Sequence, residues 1–413
     1  MNRRNSFVGR LARSSGLAVV AAALVATAGC GGGGGGSNGG GGNNPPPPVN
    51  NTLDVEVNLG PANNDADELL TSVTVCVPGT STCQTIPNVE VDTGSEGLRL
   101  LASQVSLNLP QATLGGNTPL GECVSFADNS YVWGPLVTAD IQLAGETASS
   151  VPVQLISAPN FPNVPAACNT GGTADDSVAV LGATGILGVG VFRQDCGAGC
   201  TSANAQLPKM YFSCPGANCS VTPVTLAQQL QNPVWMFPQD NNGLLISLPS
   251  VPDTGAPTAS GSMMFGVGTQ SDNGLGSAQV FTTDVQGNFT TTYSGKAYSS
   301  SYIDSGSNGI FFLDSATLGI NTCSGGNSSF YCPAATTNYT ATNMGVNGTS
   351  GSVSFSIANA NTLFSTPNSA FSNIGGPNPG SFDWGLAFFF GRTVFVGIEG
   401  QSTPAGVGPY WAY

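Results

Sequence analysis

Two stretches constrain this chain more than any other. Val89-Glu90-Val91-Asp92-Thr93-Gly94-Ser95 is echoed by Ser301-Tyr302-Ile303-Asp304-Ser305-Gly306-Ser307, with the two aspartates 212 residues apart. In each, a β-prone run ends on Asp, followed by a hydroxyl residue, Gly and Ser. A strand holds its terminal carboxylate rigidly, and glycine beside it permits close approach of another backbone. One such motif is ordinary turn chemistry. Two copies point to a duplicated lobe that supplies one carboxylate from each half.

Composition narrows the chemistry. The 413 residues contain no histidine, which excludes Ser-His-Asp triads, Cys-His pairs and His-ligated zinc. Carboxylates remain as the main acid–base groups. Only 8% of residues are charged, and glycine is abundant at 57. Together with frequent Ser, Thr, Asn and Val this predicts a mainly β, loop-rich extracytoplasmic protein of one large or two medium domains.

Residues 1–29 read as a signal peptide. Arg3, Arg4, Arg10 and Arg13 precede an apolar run, Leu17 to Ala28, too short to span a bilayer. Thr27-Ala28-Gly29-Cys30 resembles a bacterial lipoprotein cleavage box, with Cys30 as the lipidated residue and Thr27 where leucine is commoner. Residues 30–52, glycine-rich and then Pro45 to Pro48, form a tether that stiffens toward its end. The mature chain would keep five basic against 23 acidic residues, a formal charge of −18. Such a surface repels nucleic acid and anionic lipid. At low pH it has few positive charges to repel one another, so acid tolerance is expected.

Setting Cys30 aside leaves ten cysteines, an even number in an oxidising compartment. Proximity in sequence suggests Cys76–Cys83, Cys196–Cys200, Cys214–Cys219 and Cys323–Cys332, leaving Cys123 with Cys168. No CxxC pair suggests a zinc or redox site.

The order of strand, Asp-Thr-Gly-Ser, strand over Thr85 to Leu101 resembles the pepsin-like aspartic proteases. Local matches extend over most of residues 53–413. Gly185-Ile186-Leu187-Gly188-Val189-Gly190 looks like the segment that threads behind the first catalytic Asp in that family. Trp384-Gly385-Leu386-Ala387 with Phe388 to Phe390 looks like the second threading segment, with Ala387 in place of its usual glycine. Gly261 to Gly266 resembles the strand that closes the first lobe, and the polar Gly268 to Ser277 is the candidate boundary.

The resemblance implies a bilobal fold with an interlobe cleft, an N-terminal lobe over 53–268 and a C-terminal lobe over 269–413. It also implies a membrane-tethered endopeptidase without cofactor or metal. Asp92 and Asp304 would be the catalytic dyad sharing a proton. Thr93 and Ser305 would tie the two loops, Ser95 and Ser307 would hydrogen-bond the outer carboxylate oxygens, and Gly94 and Gly306 would permit close approach. The flap should lie between Cys123 and Asp140, with Phe126 aligning best to its usual tyrosine and Tyr131 as the alternative. Arg99 stands where the family has Trp, and requires a partner from Glu96 or a flap carboxylate. A third Asp-Thr-Gly, Asp253-Thr254-Gly255, lies between Pro252 and Pro257 and reads as a loop. The rival reading is a catalytically inactive pepsin-like lipoprotein that binds a peptide or glycan in the cleft. Either would sit at the bacterial cell envelope as an outer-membrane lipoprotein facing periplasm or exterior, a monomer whose partners are a peptide or protein substrate and the lipid anchor at Cys30.

Overall fold

A computed structural model describes residues 50–169 and 171–413. The leader, Cys30 and most of the tether lie outside the described residues. So do the expectations of cleavage and lipidation.

The first lobe grows from period-two strands. Thr52–Asn58, Glu68–Cys76 and Cys83–Asp92 form an antiparallel series. Val55, Val57, Val73, Val75, Val89 and Val91 from these strands are at most 2% exposed. Each such side chain contributes roughly 1.5–3 kcal/mol relative to exposure. Beyond Asp92 the chain turns and returns as Glu96–Leu101. Gly185–Val189 then inserts between the two arms, parallel to Cys83–Asp92 and antiparallel to Glu96–Leu101.

The second lobe repeats this plan. Lys296–Ile303 leads to Asp304 and Ile310–Leu313 leaves it. Asn378–Trp384 inserts between them, parallel to the first and antiparallel to the second. The threading strand therefore stops at Trp384, and Leu386–Phe388 is a single 3-10 turn beyond it. Here the core is aromatic rather than aliphatic. Phe382 and Trp384 stack at 5.5 Å between centroids, and Trp384 meets Phe388 at 5.3 Å. The Trp384 indole N–H, buried, donates to Thr291 Oγ1 at 3.3 Å.

The protein is thus mainly β, with two β-rich lobes and the cleft between them. A large sheet spans the base. Thr393–Gly397 pairs with Gly243–Ser247, and Tyr410–Ala412 pairs with Thr393–Gly397. C-terminal strands therefore extend a sheet begun by the N-terminal lobe. All five disulfides form as expected: Cys76–Cys83, Cys123–Cys168, Cys196–Cys200, Cys214–Cys219 and Cys323–Cys332.

Candidate active site

Each aspartate is placed by the parallel half of its threading arrangement. Asp92 lies opposite Gly188 in register, and the Asp304 amide donates to Trp384 O at 3.1 Å. Gly188 and Gly385 are therefore counterparts. A Cβ at Gly188 would lie 2.6 Å from the Glu96 carbonyl carbon, and one at Gly385 would lie 2.0 Å from Gly309 O. The expected glycine of the second segment is present after all. It is Gly385, two residues before Ala387, because the strand ends earlier than the sequence pattern suggests.

The two loops hold one another through crossed hydrogen bonds. Thr93 N donates to Ser305 Oγ at 3.1 Å, and Ser305 N donates to Thr93 Oγ1 at 2.9 Å. Each hydroxyl then donates backwards into the other lobe, Ser305 to Val91 O at 2.6 Å and Thr93 to Ile303 O at 3.4 Å. Within each loop the carboxylate accepts from its own turn. Gly94 N reaches Asp92 Oδ1 at 2.7 Å and Gly306 N reaches Asp304 Oδ1 at 2.9 Å. Ser95 Oγ donates to Asp92 Oδ2, and Ser307 Oγ to Asp304 Oδ2 at 3.1 Å.

The glycines are required by the approach of the lobes. A Cβ on Gly94 would fall 2.5 Å from the Asp304 carboxyl carbon, and one on Gly306 would fall 2.8 Å from Asp92 Oδ1. Each carboxyl thus rests on the other loop's glycine. Asp92 is 2% exposed and Asp304 fully buried, and each carboxyl lies against the glycine of the facing loop. Burial first, then the charge of Asp92 and that of Asp383 beneath it, hold the Asp304 carboxyl well above the usual range. Two adjacent buried carboxylates cannot both ionise cheaply.

The flap region is a hairpin of Thr118–Ser125 and Tyr131–Leu143, closed by Phe126 N to Ser130 O at 2.8 Å. Phe126 shares a face with Glu122 and Val124 and packs in a cluster with Leu101, Leu120 and Leu230. Tyr131 points to the other face, with Trp133 and the Cys123–Cys168 disulfide.

Arg99 is 1% exposed and has three acceptors. It donates to Glu122 Oε1 at 3.0 Å, Asp195 Oδ2 at 3.2 Å and Glu96 O at 2.9 Å. Its partner is the flap-strand carboxylate Glu122 rather than the Glu96 side chain, and Asp195 joins it. Tyr211 Oη donates to Asp195 Oδ1 at 2.6 Å. The guanidinium is thus neutralised where it stands, and the groups that move the Asp304 carboxyl are carboxyls and a backbone amide.

Sequence reasoning missed Asp195 and Tyr211, which come from loops and strands remote from Arg99, and Asp383 on the second threading strand. It also passed over Glu90, two residues before Asp92, which strand periodicity alone could have flagged. The third motif is a turn, as expected. Gly255 N donates to Pro252 O at 2.8 Å, and Asp253 is exposed away from any dyad.

A family profile described as protein of unknown function (DUF3443) matches residues 47–413. The chain belongs to this DUF3443 family. The match covers both Asp motifs and both threading strands. Among curated proteins none matches the DUF3443 chain by sequence. Among solved structures, an aspartic proteinase from Irpex lacteus is similar at 15% identity over 87% of this chain and 96% of that one, with a TM-score of 0.48.

Proposed function

We propose that this protein is an aspartic endopeptidase, with Asp92 and Asp304 as its dyad. The observation that carries the reading is the pair of buried carboxyls, each seated on the glycine of the opposite lobe. Asp304, with its raised affinity for a proton, serves as the acid that donates to the amide carbonyl. Asp92 takes the base's part and draws a proton from an attacking water. The Thr93–Ser305 crossing keeps the two carboxyls at one separation, so no reorganisation is needed as the tetrahedral species forms. No covalent intermediate is involved. The chain acts at the cell envelope, tethered through Cys30.

The test is cleavage of a broad peptide library between about pH 3 and 7, a window bracketing carboxyl titration. A bell-shaped profile is expected, with Asp92→Asn and Asp304→Asn each abolishing turnover while Asp253→Asn leaves it unchanged. Absence of cleavage by the folded mature protein overturns the reading. A second reading, a peptide- or glycan-binding lipoprotein without turnover, is favoured by one observation. Of the two flap candidates, Phe126 has no hydroxyl, and the Tyr131 phenol sits on the face of the disulfide.

A further inference from the structure

Arg392 follows the turn that ends the second threading segment, and its backbone is pinned on both sides. Its amide donates to Phe389 O at 3.0 Å, and its carbonyl accepts from Leu248 N at 3.2 Å. The guanidinium lies over the Phe388 ring, 4.5 Å from the centroid, and Nη1 donates to Phe388 O at 2.6 Å. That bond uses one N–H of the fork and leaves the others. Arg99 rests on two carboxylates, whereas no described carboxylate pairs with Arg392. The chain is not short of acids, with 23 against nine bases. Burial lowers the Arg392 pKa, and the neighbour opposing it is Tyr413, whose phenol is pushed up to about 12 and stays neutral.

Arg392 also forms part of the wall of a cavity of about 380 Å³. The cavity lies between this turn and the hairpin of Thr337–Met344 and Ser350–Ile357. Ile310, Ala387 and Phe390 give it apolar surface, Phe355 and Phe388 give it aromatic surface, and small polar residues complete it. No Asp or Glu lines it, and no residue of either dyad loop does.

A guanidinium drawn partly out of water is costly unless an anion complements it. Its planar fork matches a carboxylate through paired N–H bonds. We infer that this cavity binds an organic carboxylate on an apolar body, of the size of an arylalkanoic acid or of the C-terminal residue of a peptide. Arg392 takes the carboxylate and the apolar and aromatic walls take the body. Stacking on Phe388 and the pinned backbone already order the arginine, so little side-chain freedom is lost on binding. In a chain of formal charge −14 an anion is repelled over most of the surface. The acid-free lining around one cation makes this cavity the exception. A bare inorganic anion would leave the walls unused.

The experiment is calorimetry on the full mature chain at about pH 7, above carboxyl titration. The probes are phenylpropionate, its neutral amide and inorganic phosphate. The acid should bind roughly 10- to 100-fold tighter than the amide, the range for a hydrogen bond to a charged group, and phosphate should bind more weakly than the acid. Arg392→Gln should abolish the preference for the acid while leaving the amide's weak binding in place, and Asp92→Asn should change neither. Equal binding of acid and amide, no binding of the acid, or a preference that survives Arg392→Gln overturns the site. Phosphate binding as tightly as the acid overturns the part played by the walls. If Arg392→Gln loses both ligands, Arg392→Lys decides, since it keeps the charge: a preference for the acid retained there supports the site, and its loss overturns it. A tripeptide ending in phenylalanine, with its terminus free or amidated, then separates the two sources. Binding of the free terminus more tightly than phenylpropionate assigns the site to peptide ends, and the reverse order assigns it to free acids.

Discussion

At the scale of the residue, this site depends on atoms that are absent. Gly94 and Gly306 lack the Cβ that would collide with the facing carboxyl. Gly94→Ala must push Asp304 away by a distance comparable to a bond length, and misplacement on that scale costs on the order of 100-fold in rate. We expect that loss in kcat with the fold intact by circular dichroism. Gly274→Ala, where no atom lies within 4 Å, is the matched control and should change nothing. The hydroxyl crossing gives a second residue-scale prediction. Thr93→Val keeps the shape but leaves the buried Ser305 N–H without its acceptor. Such an orphaned donor costs about 1–3 kcal/mol, to be read as a lowered urea midpoint with an unchanged slope.

At the scale of the element, Arg99 joins three pieces of chain. It lies on the strand that follows the dyad loop, Glu122 lies on the flap strand, and Asp195 follows the first threading strand. Burial first, opposed by Arg99 and assisted by Asp195, pushes the Glu122 carboxyl well above its usual range. The set therefore carries one cation, Arg99, against the acids Glu122 and Asp195. Arg99→Met removes the only positive charge and strands a buried acid, which costs about 3–5 kcal/mol. Glu122→Gln keeps a hydrogen-bonding group beside Arg99 in place of a carboxyl whose affinity for a proton burial has raised, and should cost clearly less. A urea titration of both variants beside the parent checks the ranking; equal losses would show that the charge of Glu122, not that of Arg99, governs the cluster.

At the scale of the whole molecule, the same preference for protons recurs. Asp304, Glu90 and Glu122 are all raised by burial first, and Glu146 is pushed up to about 7 by burial and then Asp240. A carboxyl raised on folding keeps its proton at pH values where the unfolded chain has lost it. Its stabilising effect is complete below about pH 4, the unfolded value, and fades as pH rises through the folded value. The net negative charge works in the same direction, since self-repulsion grows as carboxyls ionise. The urea midpoint should therefore be higher near pH 4 than near pH 8, with Glu146→Gln flattening the part of the decline near pH 7. A midpoint that rises with pH would contradict this account.

What the sequence determined by itself was local. The two Asp-hydroxyl-Gly-Ser motifs, their supporting hydroxyls and glycines, the β character and the short-range disulfides follow from residues adjacent in the chain. Period-two patterning and turn chemistry act over that range. The decoy at Asp253 was legible for the same reason, because prolines on either side forbid the strand that would present it. What only the tertiary structure decided was which remote groups meet. Register, not pattern, made Gly385 the partner of Gly188, since an aromatic run hides where a strand ends. Arg99 found Glu122 and Asp195 across 23 and 96 residues. A buried charge is settled by whatever the fold carries to it. Contacts at such separations are set by how sheets pack and thread, and no local preference encodes them.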